Sequence, residues 1–174
     1  MMTNEERQAI LDALKTGSTA LHDAAREVSD EQAARSAGEG RWSILQCVEH
    51  VALVEEFLLS LMAQARRAEE PATNASREAM ILERGADRTH SREAPAAALP
   101  RGRFATLEDA LAGFSAARER TIAFLKTNEE DLRARIAVHP LMGVVNCREI
   151  LALMAVHPAR HAKQIEEIKA AMAG

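Results

Sequence analysis

The sequence predicts an all-α protein built as one four-helix bundle. Its apolar residues are mainly Ala, Leu, Ile, Val and Met, with few aromatic side chains and no tyrosine, a composition that favours helices over pleated sheets. Several segments repeat apolar residues at steps of three and four, which is the spacing of one inward helical face. Each predicted bundle helix also opens with a residue that can cap its first turn.

Length and charge limit the classes of protein to which the chain can belong. The 174 residues suit one domain, 1–174, that needs no disulfide or metal to hold it together. Acidic residues outnumber Lys and Arg by 26 to 22, for a formal net charge of −4, so no overall positive field exists to bind nucleic acid or an anionic membrane. We therefore expect neither partner.

Three further features of the sequence point to the cytoplasm. The polar amino terminus lacks the basic-then-apolar pattern of a signal peptide. No apolar run approaches the roughly 20 residues of a membrane span. Cys47 and Cys147 form no spaced disulfide framework, as is typical of a reduced intracellular protein.

The first predicted helix begins at Thr3, which can form a capping box with Glu6. His22 lies beside its inward face and is interpreted as a surface residue. A loop with Gly38 and Gly40 follows. The inward face is predicted to hold Ile10, Leu14, Gly17, Leu21, Ala24 and Val28.

The second predicted helix begins at Ser43, with Gln46 as its capping-box partner and Trp42 packed against the first turn near Cys47. His50 is the only histidine of this helix and lies on its inward face between apolar neighbours. A lone histidine in such a place is more often a hydrogen-bonded core residue than a metal ligand. The predicted inward face holds Ser43, Cys47, His50, Val54, Phe57 and Leu61.

A long connection, from about residue 66 to 104, interrupts the helical pattern. It is predicted to be loop except for a short helix from Asn74 to Arg84, capped by Asn74 and ended by Gly85 in the left-handed conformation. Such a length can cross the whole bundle, so that the next helix starts parallel to the second. His90 and six arginines are interpreted as solvated, although the arginines could also meet an anionic ligand at a pocket mouth: Arg77, Arg84, Arg88, Arg92, Arg101 and Arg103.

The third predicted helix runs from Thr106 to about Lys126 and carries no histidine or cysteine, so its predicted role is packing. Residues 131–145 are predicted to be irregular, with turns at His139 and Gly143, and no role is assigned to His139. The predicted buried face of the third helix holds Leu107, Leu111, Phe114, Thr121, Ile122 and Leu125.

The last predicted helix begins at Asn146, with Glu149 as its capping-box partner. Two histidines occupy positions on its inward face where leucines would be expected. Because residues four apart on a helix are stacked neighbours, both imidazoles can point at one spot, as two ligands of one metal ion do. The inward face holds Ile150, Met154, His157, His161, Gln164 and Ile168.

Together, His50, His157 and His161 are predicted to bind a metal ion. A shared metal would satisfy three buried imidazoles at once, whereas in a metal-free bundle each would need its own partner from water or backbone. Three neutral imidazoles suit a divalent ion such as Zn, Ni, Fe or Mn and leave a position open for water or substrate. Cys47 is a conceivable fourth ligand.

These residues resemble the DinB superfamily. The resemblance covers essentially the whole chain and implies an up-down-down-up bundle with a long crossover between the second and third helices. It also implies a divalent metal held by His50, His157 and His161, and a homodimer. The motifs that carry it are Trp42-Ser43-x-x-Gln46-x-x-x-His50, Asn146-x-x-Glu149-Ile150-Leu151 and His157-x-x-Arg160-His161-x-x-Gln164-Ile165.

Two classes of function are considered, of which the resemblance implies the first. One is a metal-dependent enzyme with a small-molecule substrate, most plausibly a transferase that uses a low-molecular-weight thiol, or a hydrolase. An open metal position can bind a thiolate or lower the pKa of a bound water. The other is a non-catalytic, stress-responsive bundle that binds metal or another ligand at a site sealed by Met154, Phe57 and Leu53.

No catalytic residue is assigned from the sequence. Glu49 and Glu55 lie off the predicted His50 face, and Arg160 and Lys163 are expected to face outward. Pro158 follows one proposed ligand inside the last helix, where it removes an amide donor and presses on the carbonyl of Met154. The helix is therefore predicted to bend between Met154 and His157 or to restart, which would open the pocket or displace His157.

Overall fold

The computed structural model of the protein describes residues 2–69, 75–89 and 93–173. Four long helices form the bundle: α1 (Asn4–Ala25), α3 (Ile44–Ala63), α5 (Leu107–Thr127) and α6 (Cys147–Ala173). Two short helices, α2 (Asp30–Ala34) and α4 (Ala75–Arg84), lie in the connections. Helices α1 and α3 each pack against α5 and α6.

The chain follows the predicted up-down-down-up path, with the long crossover joining α3 to α5. The crossover carries α4 and a short 3-10 turn at Ala96–Ala98. Within the described ranges, no helix has both the length and the apolar character that crossing a membrane requires.

All four predicted helix starts are confirmed by their capping contacts. Thr3 and Ser43 each form a full capping box, and the Thr106 hydroxyl accepts from the amide of Asp109. The Asn146 side chain accepts from the amide of Glu149 at 2.9 Å, while the Glu149 carboxylate accepts from the amide of Asn146 at 3.0 Å. These contacts satisfy amides that have no partner inside a helix.

The predicted inward face is correct for α1 and wrong for the second half of α3. Five of the six predicted α1 positions are buried, and Val28 lies beyond the end of the helix. In α3 the side chain of Phe57 is 38% exposed. The packed row of α3 beyond His50 is instead Val51, Glu55, Leu58 and Met62.

Residues expected to be irregular form a small sheet. Strand β2 (Arg135–His139) pairs antiparallel with β3 (Gly143–Asn146), and β1 (Arg66–Arg67) pairs with the other edge of β2. Gly143 takes a positive φ of 67° at the turn, a conformation that glycine adopts without steric cost. The sheet is an addition to the bundle and leaves the four-helix architecture intact.

Gly85 has a different role from the one predicted. Its φ is not positive, so Gly85 does not end α4 in the left-handed conformation. A Cβ built at Gly85 would lie 2.3 Å from Cγ2 of Val156, so the missing side chain lets α4 approach α6. The predicted cap of this helix, Asn74, lies outside the described residues, as do His90 and Arg92.

Helix α6 continues through Pro158 as one α-helix, so the predicted restart does not occur. Pro158 has no amide hydrogen for the carbonyl of Met154. That carbonyl instead accepts a hydrogen bond from Nη2 of Arg118, on α5, at 2.7 Å. The bend near this turn stays a prediction.

Candidate metal centre

Helices α3 and α6 bring the three predicted histidines together. One potential ligand atom from each of His50, His157 and His161 lies within 4.8 Å of the other two, and the ring centroids are 4.5 to 5.1 Å apart. His50 and His161 are buried, at 5% and 7% exposure, and His157 is half-buried. Residues about 100 positions apart in sequence thus form one compact group.

Two of these histidines have their tautomers fixed by acceptors. His50 Nδ1 lies 2.7 Å from the carbonyl oxygen of Ala98, and His161 Nδ1 lies 2.9 Å from Oε1 of Gln164. A carbonyl or amide oxygen only accepts, so each Nδ1 carries the proton and each Nε2 keeps a lone pair. The unprotonated Nε2 is the atom that a metal ion requires.

The remaining histidine closes the group at a distance that suits a metal. Nε2 of His157 lies 3.1 Å from Nε2 of His161. Two nitrogens bound at about 2.0–2.1 Å to one Zn²⁺ or similar ion are roughly 3.0–3.4 Å apart. Because the donors are three neutral imidazoles, His50, His157 and His161 could hold a divalent metal ion.

Burial keeps these imidazoles in the neutral form that binds metal. Desolvation lowers the pKa of His50, and it lowers the pKa of His157 and His161 well below the ordinary value for histidine. The positive charge of Arg160 adds to the lowering at both α6 histidines. Near pH 7 a metal ion therefore has little competition from protons.

The crossover supplies the acceptor for His50 Nδ1 and holds, through a hydrogen bond, the acceptor for His161 Nδ1. Ala98 lies in its 3-10 turn, and Arg88 donates from Nη1 to Oε1 of Gln164 at 3.2 Å. The same guanidinium bonds both carboxylate oxygens of Glu167 at 2.8 and 2.9 Å. This role of Gln164 was not predicted from the sequence, although its place one turn after His161 on the same face is a usable signal.

Glu49 binds the end of the crossover through hydrogen bonds beside His50. Its buried carboxylate accepts from three successive backbone amides, those of Arg101, Gly102 and Arg103, at 2.6 to 3.2 Å. Gly102 has a φ of 73°. Glu49, the residue before His50, thus anchors the crossover, a role that was not predicted from the sequence.

A cavity of about 920 Å³ reaches all three histidines. The Trp42 ring is 4.8 Å from the ring of His50 and is stacked 6.4 Å from that of His161. Arg160 is half-buried and lines the cavity, so the expectation that it faces outward is wrong, whereas Lys163 is exposed as expected. Apolar side chains form much of the remaining wall: Val54, Phe57, Met80, Leu99 and Leu153.

Other candidate residues stay outside the group. Cys47 is fully buried, and burial raises the pKa of its thiol to about 12, which disfavours the thiolate that binds metals. His22 is exposed and lies 3.0 Å from the Ser115 hydroxyl. His139 accepts through Nδ1 from two amides of its own turn.

Comparisons with known proteins identify the family. TT2238, a four-helix bundle protein, has a TM-score of 0.60 and 23% identity, over 92% of this chain and 98% of that one. YfiT from Bacillus subtilis, described as a probable metal-dependent hydrolase with an unusual four-helix bundle topology, has a TM-score of 0.60 and 19% identity, over 99% and 91%. No curated protein matches the chain. The family model of the DinB superfamily matches residues 13–165, and the chain belongs to that superfamily.

Proposed function

We propose that the protein is a metal-dependent enzyme whose small-molecule substrate binds in the cavity beside the three histidines. The observation that carries the proposal is the convergence of His50, His157 and His161 on the wall of a cavity of about 920 Å³. A site built for structure alone would close the coordination sphere with protein ligands. Here Cys47, the fourth ligand considered from the sequence, stays outside the group.

Each part of the site has a defined task in this proposal. His50, His157 and His161 hold the metal, while Ala98 and Gln164 keep the tautomers of two of them fixed. The metal, when bound, acts as a Lewis acid that lowers the pKa of a thiol or a water molecule.

Among the reactions open to such a centre, we propose transfer of a low-molecular-weight thiol to a small electrophile. Both buried carboxylates of α3 are already in use, since Glu49 binds three amides and Glu55 pairs with Arg118. Neither is placed as a general base beside the histidines. With a metal bound at the three histidines, a thiol would lose its proton more readily than water, so thiol transfer would need less help from such a base than hydrolysis would.

Two alternatives have their own support. Hydrolysis is favoured by the description of YfiT, which shares the fold. A non-catalytic binding bundle would keep its metal sealed by Phe57, Met154 and Leu53, but Phe57 lines the cavity that reaches the histidines. We also propose, on the family resemblance, a homodimer, which light scattering of the purified protein would test. The sequence features given above support a cytoplasmic location.

Elemental analysis tests the metal first. The protein is purified without a metal-affinity tag, beside His161→Ala and the matched control His22→Ala, whose ring lies against Ser115 and outside the centre. We expect one divalent metal ion per chain in the parent and the control, and loss of that ion in His161→Ala. A parent that stays empty after loading with Zn, Ni, Mn and Fe would overturn the proposal.

Turnover assays then separate the reactions. Protein loaded with each metal is mixed with an electrophile such as 1-chloro-2,4-dinitrobenzene and with glutathione, bacillithiol, mycothiol or coenzyme A. We expect thiol-dependent product formation that His161→Ala abolishes. Cleavage of a model ester without any thiol would favour the hydrolase, and full metal loading with neither activity would favour the binding bundle.

A further inference from the structure

Arg118 of α5 joins all four long helices through one buried guanidinium. The residue is 3% exposed. Nη1 donates to the carbonyl of Leu14 on α1 at 2.9 Å, and Nη2 donates to the Glu55 carboxylate on α3 at 2.8 Å and to the carbonyl of Met154 on α6 at 2.7 Å. The guanidinium also lies 5.2 Å from the centre of the Phe114 ring. The buried cation thus holds the backbone of α1 at Leu14 and of α6 at Met154, and the side chain of Glu55 on α3.

The contact with Met154 replaces a bond that α6 cannot make. In an α-helix, this carbonyl would accept from the amide of the residue four positions later, which is Pro158. Since proline has no amide hydrogen and its ring crowds that carbonyl, such a turn commonly opens and bends. The Arg118 guanidinium supplies the missing donor from another helix.

The turn that Arg118 completes, from Met154 to Pro158, contains one candidate metal ligand and ends three residues before the next. His157 comes immediately before Pro158 and His161 follows three residues after it, so their 3.1 Å Nε2 separation spans the position of the missing bond. On another side of this turn, a Cβ built at Gly17 of α1 would lie 2.1 Å from the carbonyl oxygen of Ala155. The backbone before Pro158 is therefore held by Arg118 and by the close approach of α1.

We propose that Arg118 is a positioning residue of the metal centre: by bonding the carbonyl that Pro158 leaves without a donor, it holds His157 in register with His161. The inference rests on the metal centre proposed above. The hydrogen bonds of Arg118 reach Leu14, Glu55 and Met154, so its positioning effect passes through the backbone of α6. Its positive charge also lowers the pKa of His157, but that effect does not depend on which residue occupies position 158. A purely structural ion pair with Glu55 would not depend on which residue occupies position 158.

A double-mutant cycle tests this dependence. One arm is Arg118→Met combined with Glu55→Gln, so that no buried charge is left alone, and the other arm is Pro158→Ala, which gives Met154 an amide donor within its own helix. The dissociation constant for Zn²⁺ is measured by competition with a chelator, together with the Co²⁺ absorption spectrum and urea unfolding of the metal-free protein.

We expect Arg118→Met with Glu55→Gln to weaken Zn²⁺ binding about 10- to 100-fold when Pro158 is present, in the range seen for residues that orient metal ligands. With Pro158→Ala the same change is expected to cost less than about 3-fold, because the helix supplies the bond. The loss of unfolding stability is expected in both backgrounds, because the Glu55 pair is broken in both, and to be somewhat larger with Pro158, where the Met154 carbonyl is left without a donor. Equal losses of Zn²⁺ affinity with Pro158 and with alanine would overturn the role of Arg118.

Two further arms keep the result decisive. If the double replacement does not fold, Arg118→Lys takes its place in the cycle, since it keeps a charge for Glu55 but cannot make three contacts through a planar fork. The same dependence on position 158 is expected, and its absence counts against the proposal. A parent protein that binds no Zn²⁺ would overturn the metal centre itself, whereas a parent that binds it with no dependence on position 158 would overturn only the inference about Arg118.

Discussion

Two buried polar groups contact α6 at points one helical turn apart, and they differ in composition. At Met154 the charges of Arg118 and Glu55 pair at 2.8 Å, and the Thr121 hydroxyl donates to the same carboxylate at 2.8 Å. At His157 and His161 the group consists of neutral bases of one kind. The first group pairs opposite charges, although Nε of Arg118 is buried without a hydrogen-bond partner, whereas the second brings electron pairs together and becomes complete when a cation binds.

Breaking the ion pair of Arg118 and Glu55 should have the largest effect on the free energy of unfolding. Arg118→Met leaves the Glu55 carboxylate buried without its partner, and we expect a loss of about 3–5 kcal/mol in the free energy of unfolding. Urea unfolding of the metal-free protein measures it. Adding Glu55→Leu should restore much of the loss, because the pair is then replaced by apolar side chains. Unchanged stability in the single variant would contradict a paired, buried Arg118.

The histidine group should instead respond to an added ion. Zn²⁺ at 1,000 times its dissociation constant is expected to stabilise the parent by about 4 kcal/mol, since it binds the folded chain and not the unfolded one. His161→Ala should gain almost nothing from the same addition. Thermal unfolding with Zn²⁺ and with a chelator makes the measurement. Equal stabilisation of parent and variant would place the ion elsewhere.

Gly17 tests the turn that connects the two groups. In Gly17→Ala the new Cβ would lie 2.1 Å from the Ala155 carbonyl oxygen, so α1 must move away from α6. Overpacking of this kind typically costs about 1–3 kcal/mol and here outweighs the better helix propensity of alanine. Urea unfolding beside Thr16→Ala, at an exposed position of the same helix, gives the comparison. Equal results for the two variants would show that the contact is unimportant.

The smallest expected effect is the response of unfolding stability to pH, which should also distinguish the two groups. Burial lowers the pKa of His50, His157 and His161 below the value of 6.5, so the folded chain favours their neutral forms. Their contribution to stability is therefore complete above about pH 6.5 and is lost as the pH falls, because only the unfolded chain takes up these protons. Urea midpoints of the metal-free protein should fall from pH 7 to 5, and less steeply in His161→Gln. Parallel declines would contradict the lowered pKa values.

The sequence predicted those features that depend on local patterns. Thr3, Ser43 and Asn146 cap helices through residues three positions later, so a short stretch contains the whole signal. His50, His157 and His161 were found because a polar residue on an otherwise apolar helical face is conspicuous. Local spacing also correctly predicted that His157 and His161 would share one face of α6.

The features that were missed depend on contacts distant in sequence. In the sequence, Arg118 is one more charged residue of an amphipathic helix, and only the folded chain brings α1, α3 and α6 to its guanidinium. The strands of the hairpin have only five and four residues, too few for a strong alternating pattern. The inward face of α3 changes after His50 because Phe57 borders the cavity, and a cavity leaves no periodic signal in the sequence.

The packing of α1 against α6 also determines when the site can form during synthesis. Helices α1 and α3 both pack against α6, and two of the three candidate ligands lie on α6, which follows the other three bundle helices in the chain. Helices α1 and α3 therefore leave the ribosome before α6 is made, with apolar faces still uncovered. A nascent chain should bind no metal at this site until α6 has emerged, so that acquisition of the ion marks a completed bundle.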